Sequence, residues 1–289
     1  MNKIALGTAQ FGMKYGISNF SKELSNYEIK KILKLSEQKN IDLLDTAMGY
    51  GFGEEKIGLN DKNNFKIITK LPSLNHEIKD VKEWIKQKVD QSLKNLKRQK
   101  IYGLLFHDPS MLLRKDGEQI YQIVSNLKEE GIIEKIGISI YSPNILDNLI
   151  PKYKIDIVQA PFNLLDRRLL NSGWMKELDN QNIEIHARSI FLQGLLLIPP
   201  KEIPKNFKKW INLFENLERW TNENKLKLTE ACLLFVSSFD KFKKIIIGVD
   251  NFEQLKEILN TPLEGKSLKF PEISCEDQAL INPSNWTNK

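Results

Sequence analysis

Residues Ile41–Gly58 read Ile-Asp-Leu-Leu-Asp-Thr-Ala-Met-Gly-Tyr-Gly-Phe-Gly-Glu-Glu-Lys-Ile-Gly, and they contain the unit that the rest of the chain repeats. The apolar run that ends at Asp45 predicts a short buried strand, and Glu55–Gly58 predicts the start of a helix. Between them Tyr50 lies in a glycine-rich turn. Two interpretations are open on this stretch alone. Either Asp45 and Tyr50 point into a binding site, or Asp45 caps the turn and Tyr50 packs at its edge.

The same alternation of a short apolar run and a longer helical segment continues along the chain. Runs rich in Ile, Val and Leu predict eight parallel strands, buried on both faces, at Ile4–Thr8, Ile41–Asp45, Phe65–Lys70, Ile101–His107, Ile133–Ser139, Ile155–Ala160, Ile183–Arg188 and Lys244–Gly248. A doubly wound sheet is the competing arrangement, but such folds usually split into two sub-domains, and no linker-like boundary is present. We therefore predict an α/β fold, a (β/α)8 TIM barrel, as a single domain over residues 1–289. Residues 262–289 are predicted to form a C-terminal tail near the barrel mouth.

Composition restricts the class of protein. The chain has 289 residues, 41% of them hydrophobic and 28% charged, with a formal net charge of +6, as in an ordinary soluble globular protein. Its lysines are scattered between acidic residues rather than clustered, so the basic excess is only weak evidence for a nucleic-acid partner. Two cysteines predict neither a disulfide framework nor a metal site. No apolar run approaches the roughly 18 residues of a membrane span. We expect a cytoplasmic protein with no nucleic-acid or membrane partner, and the oligomeric state is not predicted.

Polar residues end three consecutive predicted strands. Asp45, Lys70 and His107 each directly follow apolar residues, and Tyr50 lies in the loop after the first of them. The strand ends of a barrel meet at one face, where the chemistry of this fold is found. A lysine cation would lower the tyrosine pKa from about 10, Asp45 would hold Lys70 in place, and the histidine would orient a substrate oxygen. These residues predict a proton-transfer site with Tyr50 as general acid, and the alternative is three unrelated charges at the barrel edge.

Carbonyl reduction also needs a source of hydride. The first strand is not followed by a Gly-x-Gly-x-x-Gly motif, so a Rossmann dinucleotide site is not expected. A phosphate is better placed at the N-terminus of a late helix, and Gly248 at the end of the last strand leads into such a helix.

Three matched segments resemble the aldo-keto reductases. They are Asp45-Thr46-Ala47-x-x-Tyr50-Gly51-x-x-Glu54, Lys70 at the third strand end, and His107-Asp108-Pro109. The resemblance covers most of the chain and implies a (β/α)8 enzyme that uses NADPH or NADH without a Rossmann fold. It implies catalytic roles for Asp45, Tyr50, Lys70 and His107, and a small-molecule carbonyl substrate.

The resemblance also implies cofactor contacts. Ser139 and Gln159 match residues that hold the nicotinamide amide, although Ile140 stands where the family has an asparagine. Arg188 replaces an aromatic residue that stacks on the nicotinamide, and a guanidinium plane can also lie flat on a ring; the alternative for Arg188 is a salt bridge at the barrel rim. In the last helical segment Gly248 and Gln254 match the cofactor-binding run. Asp250, which we also expect to lie at the cofactor, stands with Asn251 where the family has basic residues for a 2′-phosphate. The resemblance implies NADP. NAD is the alternative, because an acidic residue at this position would repel a 2′-phosphate. Asp250 with Glu253 also fits an ordinary helix cap.

Together these observations predict an NAD(P)H-dependent oxidoreductase that reduces an aldehyde or ketone, which at the level of the family includes sugar-derived carbonyls. One alternative is a regulatory subunit of the same family that binds the cofactor with little turnover. Another is an unrelated barrel lyase or isomerase that uses Lys70 as a Schiff base. The substrate pocket is predicted to have Phe11, Phe191, Leu192 and Trp286 as walls, unless these residues are ordinary rim packing.

Overall fold

Eight parallel strands form a closed barrel in which neighbours follow chain order and the last strand pairs with the first. The computed structural model describes residues 3–17, 24–62, 64–75, 78–262 and 268–286; part of the predicted C-terminal tail, residues 263–267 and 287–289, lies outside them. The strands are β1 Ile4–Gly7, β2 Leu43–Asp45, β3 Lys66–Leu71, β4 Ile101–Phe106, β5 Ile133–Ser139, β6 Ile157–Pro161, β7 Glu184–Arg188 and β8 Phe242–Gly248. The predicted (β/α)8 barrel is confirmed.

Helices follow the strands along the chain. Their bounds are α1 Ala9–Gly12, α2 Asn26–Gln38, α3 Gly53–Asn60, α4 Val81–Leu96, α5 Gly117–Glu129, α6 Leu146–Leu149, α7 Arg168–Asn171, α8 Trp174–Asn180, α9 Ile211–Glu223, α10 Leu228–Ser237, α11 Phe252–Leu259 and α12 Gln278–Ile281. Short 3₁₀ turns lie at Pro109–Leu113, Pro143–Ile145, Leu192–Leu197, Pro200–Glu202, Lys205–Trp210 and Pro283–Asn285. None of the helices in the described part of the chain is long and apolar enough to cross a membrane.

The start of α2 connects two neighbouring helices. Ser25 accepts a hydrogen bond from the Glu28 backbone N–H at 3.2 Å, as the Ser-x-x-Glu spacing indicates. The Glu28 carboxylate accepts from the backbone N–H of Phe252 at 2.8 Å, at the first turn of α11. One side chain of α2 therefore satisfies a free N–H at the N-terminus of another helix.

Alternation along the strands produces two apolar layers. One small cluster contains Ala5, Leu43, Ile68, Leu105, Ile157 and Ile246, whereas their strand neighbours, such as Leu44 and Ile67, belong to the larger core. Because side chains alternate between faces, the small cluster fills the barrel interior and the large one lies under the helices. Two residues further along these six strands, on the same inward face, are Gly7, Asp45, Lys70, His107, Gln159 and Gly248. The strand period alone thus brings the candidate site residues into one layer at the barrel mouth.

A polar network lies at the opposite, N-terminal end of the strands. Glu184 accepts hydrogen bonds from Tyr102 at 2.9 Å and Lys135 at 2.6 Å, and its other oxygen lies 3.3 Å from His186 Nε2. Burial opposes ionisation of Glu184, but the hydrogen bonds from His186, Lys135 and Tyr102 lower its pKa to about 2. Because the chemistry of this fold is found at the other end of the strands, we attribute this network to stability.

Candidate active site

A buried ion pair joins the ends of β2 and β3. Lys70 Nζ donates to Asp45 Oδ2 at 2.7 Å and to the Thr46 carbonyl at 2.8 Å. Lys70 is 1% exposed and Asp45 is 4% exposed. Burial lowers the pKa of Lys70, and the Asp45 carboxylate opposes that shift. Asp45 therefore fixes the position of the ammonium group and favours its charged form.

Close contact between two loop backbones fixes the position of Tyr50. Its carbonyl accepts from Gly53 N–H at 2.9 Å, and its own N–H donates to Ala47 O at 3.0 Å. A Cβ added to Gly12, which ends α1 in the connection between β1 and α2, would lie 1.9 Å from the Tyr50 carbonyl oxygen. Gly51 has φ +52°, and a Cβ there would lie 2.3 Å from Gly12 O. Both glycines are required because a side chain at either position would separate the two loops.

The Tyr50 ring lies between the ion pair and His107. Its centroid is 5.9 Å from that of His107, with the rings nearly perpendicular at 83°, and 5.4 Å from Lys70 Nζ. Burial raises the pKa of Tyr50 above its ordinary value of 10.0, the Asp45 charge raises it further, and the Arg188 cation opposes both. The predicted net lowering is therefore not found, because desolvation of the phenolate outweighs the nearby cations. At neutral pH Tyr50 is a protonated phenol.

His107 faces the same group of charges. Burial, followed by the Lys70 and Arg188 cations, lowers its pKa from the ordinary 6.5 to about 4. The imidazole is consequently neutral at physiological pH, with one ring nitrogen as donor and the other as acceptor. A neutral N–H beside the Tyr50 ring is suited to orienting a carbonyl oxygen.

Gln159 is tied to the ion pair. Its Nε2 donates to Asp45 Oδ1 at 2.7 Å, so both carboxylate oxygens of Asp45 are hydrogen-bonded. Ser139 Oγ lies 3.5 Å from Gln159 Oε1, at the long limit of a hydrogen bond. β5 and β6 pair Ser139 with Gln159 directly. The two residues expected at the nicotinamide amide are thus neighbours, and Gln159 contacts the Lys70–Asp45 ion pair.

Arg188 ends β7, and its guanidinium group lies over the Tyr141 ring. Its guanidinium carbon is 4.7 Å from the centroid of Tyr141. It donates from Nη2 to Ile140 O at 2.8 Å and from Nη1 to Ser189 Oγ at 3.0 Å. Within the described residues no carboxylate lies within salt-bridge distance of Arg188, so the alternative of a rim salt bridge is not found.

One cavity connects part of this site with the start of α11, whereas His107, Lys70 and Ser139 are not among its lining residues. Predicted site residues that line it are Asp45, Tyr50, Gln159, Arg188, Gly248, Asp250 and Gln254. Lys70 supports Asp45 from within the barrel. The cavity is also lined by Gln10, Tyr15, Ser189 and Gln193, which sequence reasoning missed. Gln10 lies in α1 and Tyr15 in the segment after it, whereas Ser189 and Gln193 follow β7. None of the four ends a strand, so the strand-end pattern does not mark them.

Only one of the four predicted pocket walls contacts this cavity. Phe191 lines it. Phe11 and Leu192 are 0% exposed and belong to the core. Trp286 packs edge-on against Phe207 with ring centroids 4.9 Å apart, and its Nε1 donates to Leu280 O at 3.1 Å. For these three the alternative, ordinary packing, is the better description.

The start of α11 differs from the prediction. Asn251, not Asp250, is the N-cap: its side chain accepts from Gln254 N–H at 2.8 Å. The predicted Asp-x-x-Glu cap is wrong because the helix begins one residue later. The Asp250 backbone N–H donates to Gln254 Oε1 at 2.6 Å. The carboxyl group of Asp250 is hydrogen-bonded to the Gln10 side chain. Burial raises the pKa of Asp250 and the hydrogen bond with Gln10 opposes that shift.

Comparison with known proteins identifies the family. The model of the Aldo/keto reductase family matches residues 3–267. The chain belongs to this family of oxidoreductases. Aldo/keto reductases generally bind NADH or NADPH.

Individual relatives are similar over most of their length. This aldo/keto reductase is 27% identical over 278 residues to the uncharacterized oxidoreductase YqkF of Bacillus subtilis, which covers 89% of this chain and 90% of that protein. The holo form of the aldo-keto reductase AKR11C1 from Bacillus halodurans superposes with a TM-score of 0.73 at 20% identity, covering 92% of this chain and 88% of that one. The glycerol dehydrogenase AKR11B4 from Gluconobacter oxydans gives 0.70 at 20% identity, covering 93% and 88%. At such identities the structures establish the shared fold.

Proposed function

We propose that this aldo/keto reductase reduces an aldehyde or ketone to the alcohol with NADH or NADPH, and that Tyr50 is its general acid. One observation carries the proposal. A protonated tyrosine lies 5.9 Å, ring to ring, from a neutral histidine and over a buried Lys70–Asp45 pair, in a cavity that extends to the N-terminus of α11.

Each side chain has a role that follows from its charge. Bound reduced nicotinamide would supply the hydride. Tyr50 would give its proton to the carbonyl oxygen as negative charge develops there, because an alkoxide is a stronger base than a phenolate. The Lys70 and Arg188 cations stabilise the resulting phenolate. The N–H of neutral His107 orients the same oxygen. A raised tyrosine pKa agrees with this order of events, since the proton stays on Tyr50 until the oxygen becomes basic.

The residues around the cavity fit a dinucleotide. Gly248 accommodates the Gln10 side chain, because a Cβ there would lie 2.8 Å from the Gln10 amide. Gln10 and Gln254 offer amides near the start of α11, and Gln159 lines the same cavity as Tyr50. Two carboxylates lie at the end of the cavity near α11. Asp250 lines the cavity, and the Glu28 carboxylate accepts the hydrogen bond of the Phe252 N–H. Lys31 is paired with Glu28 at 3.5 Å. Because these carboxylates repel a 2′-phosphate, we expect NADH to bind at least as tightly as NADPH, contrary to the NADP preference that the resemblance implies.

A Schiff-base mechanism on Lys70 has little structural support. The amine is 1% exposed and donates to both Asp45 and the Thr46 carbonyl. A carbonyl carbon would have to displace these partners inside the barrel. The cavity is lined instead by Tyr50.

The test compares wild type with Tyr50→Phe. Aldehyde-dependent oxidation of NADH and NADPH, measured at 340 nm over a panel of carbonyl compounds, should fall by at least about 100-fold on loss of the general acid. Cofactor affinity from fluorescence titration should change little, because the phenyl ring is retained. Tyr27→Phe, at a position that is 74% exposed, is the matched control. Wild-type turnover by Tyr50→Phe would contradict the assignment, and tight cofactor binding by the wild type with no turnover of any carbonyl would identify a regulatory subunit.

A further inference from the structure

His186 is a polar side chain inside the barrel, at a level where neighbouring strands carry apolar residues. It is 0% exposed and lies on β7, two positions before Arg188. The strand register pairs it with Gln159 on β6 and with Lys244 on β8. Register partners in a parallel sheet point to the same face, and neighbouring strands lie about 4.8 Å apart. The inward side chains of His186 and Gln159 are therefore adjacent.

The network at the N-terminal end of the strands uses only one ring nitrogen of His186. Nε2 lies 3.3 Å from Glu184 Oε2. Burial opposes ionisation of Glu184, but its hydrogen bonds lower the pKa to about 2, so this carboxylate is ionised and can only accept. The proton of this contact is therefore on Nε2, and Nδ1 of the neutral ring is an acceptor. Nδ1 is buried and has no hydrogen-bond partner among the described residues.

The Gln159 amide also has unused capacity. Its Nε2 donates to Asp45 Oδ1 at 2.7 Å, which fixes the orientation of the amide. Its Oε1 receives a contact from Ser139 Oγ at 3.5 Å, the long limit of a hydrogen bond. A carbonyl oxygen can accept two hydrogen bonds. Gln159 Oε1 therefore has room for a shorter one.

The floor of the cavity lies directly above His186. Gln159, Arg188 and Ile246 line the cavity from the three adjacent strands β6, β7 and β8. Ile246 belongs to the small interior cluster and is its most exposed member, at 7%, so the cavity reaches the depth of the barrel interior. On β7 the next inward residue below Arg188 is His186. A small molecule at this floor can reach both His186 and Gln159.

Water has the hydrogen-bonding groups that these two side chains require. Buried polar groups without a protein partner are commonly satisfied by an interior water that makes two to four hydrogen bonds. His186 Nδ1 and Gln159 Oε1 both need a donor, and one water has two protons to donate. Donation to Oε1 also keeps the Gln159 amide oriented with Nε2 on Asp45, as in the structure.

We propose that His186 is a positioning residue that holds the Gln159 amide through one interior water, bound between His186 Nδ1 and Gln159 Oε1. Since Gln159 is expected at the nicotinamide amide, His186 tunes the affinity for the reduced cofactor without touching it. This inference rests on the proposed function, because that function gives Gln159 its part in cofactor binding.

Asparagine and glutamine at position 186 separate the two ring nitrogens, because an asparagine amide takes the place of Nδ1 and a glutamine amide that of Nε2. His186→Gln should raise the Kd for NADH by roughly 3- to 10-fold, the range of one hydrogen bond, with a urea midpoint close to that of the wild type. His186→Asn should keep the wild-type Kd and lower the urea midpoint, since it loses the contact with Glu184. Tyr102→Phe, which removes another hydrogen bond to Glu184, is the matched control and should lower the midpoint alone.

A double-mutant cycle shows whether the effect passes through Gln159. In a Gln159→Met background, which keeps the length of the side chain but not its amide, His186→Gln should leave the Kd for NADH unchanged. An equal loss of affinity in both backgrounds would overturn the proposal, as would wild-type affinity in His186→Gln. Loss of affinity in His186→Asn alone would assign the role to Nε2 and overturn it as well.

A crystal structure of the cofactor-free protein tests the water directly. One ordered water should lie about 2.7–3.2 Å from both His186 Nδ1 and Gln159 Oε1, and it should be missing from His186→Gln. Absence of this water from the wild type would overturn the inference even if carbonyl compounds are reduced at full rate. Gln159-dependent loss of NADH affinity in a protein that reduces no carbonyl compound would support the inference and contradict the proposed function.

Discussion

Replacing Asp45 by asparagine tests the electrostatic centre of the site without knowledge of the substrate. The substitution retains the shape of the side chain and an oxygen that can accept from Gln159, but it removes the charge that faces Lys70 at 2.7 Å. Both side chains are almost completely buried, at 4% and 1% exposed. The variant therefore leaves an ammonium group inside the barrel with only a neutral partner.

The expected loss of stability follows from this distance. Two unit charges 2.7 Å apart attract each other by about 6 kcal/mol at an effective dielectric constant of 20. Part of this is offset by the cost of taking both ions out of water. Removal of one partner of a buried pair typically costs about 3–5 kcal/mol, and we expect Asp45→Asn to lie in that range. Lys70→Met should lose a similar amount, because it leaves the Asp45 carboxylate with Gln159 alone.

A double-mutant cycle measures the coupling. Urea unfolding, followed by circular dichroism at neutral pH, gives the free energy of unfolding of the wild type, both single variants and the Asp45→Asn/Lys70→Met double variant. The double variant buries no unpaired charge, so it should be less destabilised than the sum of the singles by at least about 2 kcal/mol. Additive losses would refute the reasoning, as would a destabilisation below about 1 kcal/mol in Asp45→Asn.

Two further substitutions probe the neighbouring groups. Gly12→Ala should lower kcat by about 10-fold or more with little change in cofactor affinity. The added methyl group would lie 1.9 Å from the Tyr50 carbonyl oxygen, so Tyr50 must shift. A variant with wild-type kcat would show that this contact does not position Tyr50. His107 has its pKa lowered to about 4, so the folded state binds fewer protons than the unfolded state between that pH and 6.5, and stability should rise with pH across this window. Relative to His107→Gln, wild type should lose about 2–3 kcal/mol more between pH 7 and pH 4, measured by urea unfolding at each pH, and parallel pH profiles of the two proteins would contradict a buried neutral imidazole.

The strand-end residues were accessible to sequence reasoning because two local rules locate them. A strand alternates its side chains between faces, and a barrel collects its strand ends at one mouth. Two positions before each of these residues the chain has an inward apolar residue. The position along the strand is therefore enough to predict that Asp45, Lys70 and His107 lie near one another. Their catalytic roles, and that of Tyr50, remain predictions until the variants are measured.

Properties that depend on loop geometry were not accessible in this way. The expected lowering of the Tyr50 pKa omitted desolvation, whose size depends on how completely the barrel and loops enclose the ring. The cap of α11 was placed at Asp250 because the Asp-x-x-Glu pattern is local, whereas the observed start at Asn251 reflects where the backbone turns after β8. Tyr15 was missed because its partner Gln193 lies 178 positions away in another loop.

The sequence by itself determined the (β/α)8 barrel and the placement of Asp45, Lys70 and His107 at its mouth. The two-residue period of a strand and its burial on both faces can be recognised from successive residues in the chain. Only the tertiary structure decided which of these groups are charged, what Gln159 and Arg188 contact, and which loop residues line the cavity. Those properties arise from distances between segments that barrel closure brings together, such as Asp45 and Gln159, which are 114 positions apart in the chain and 2.7 Å apart in the site.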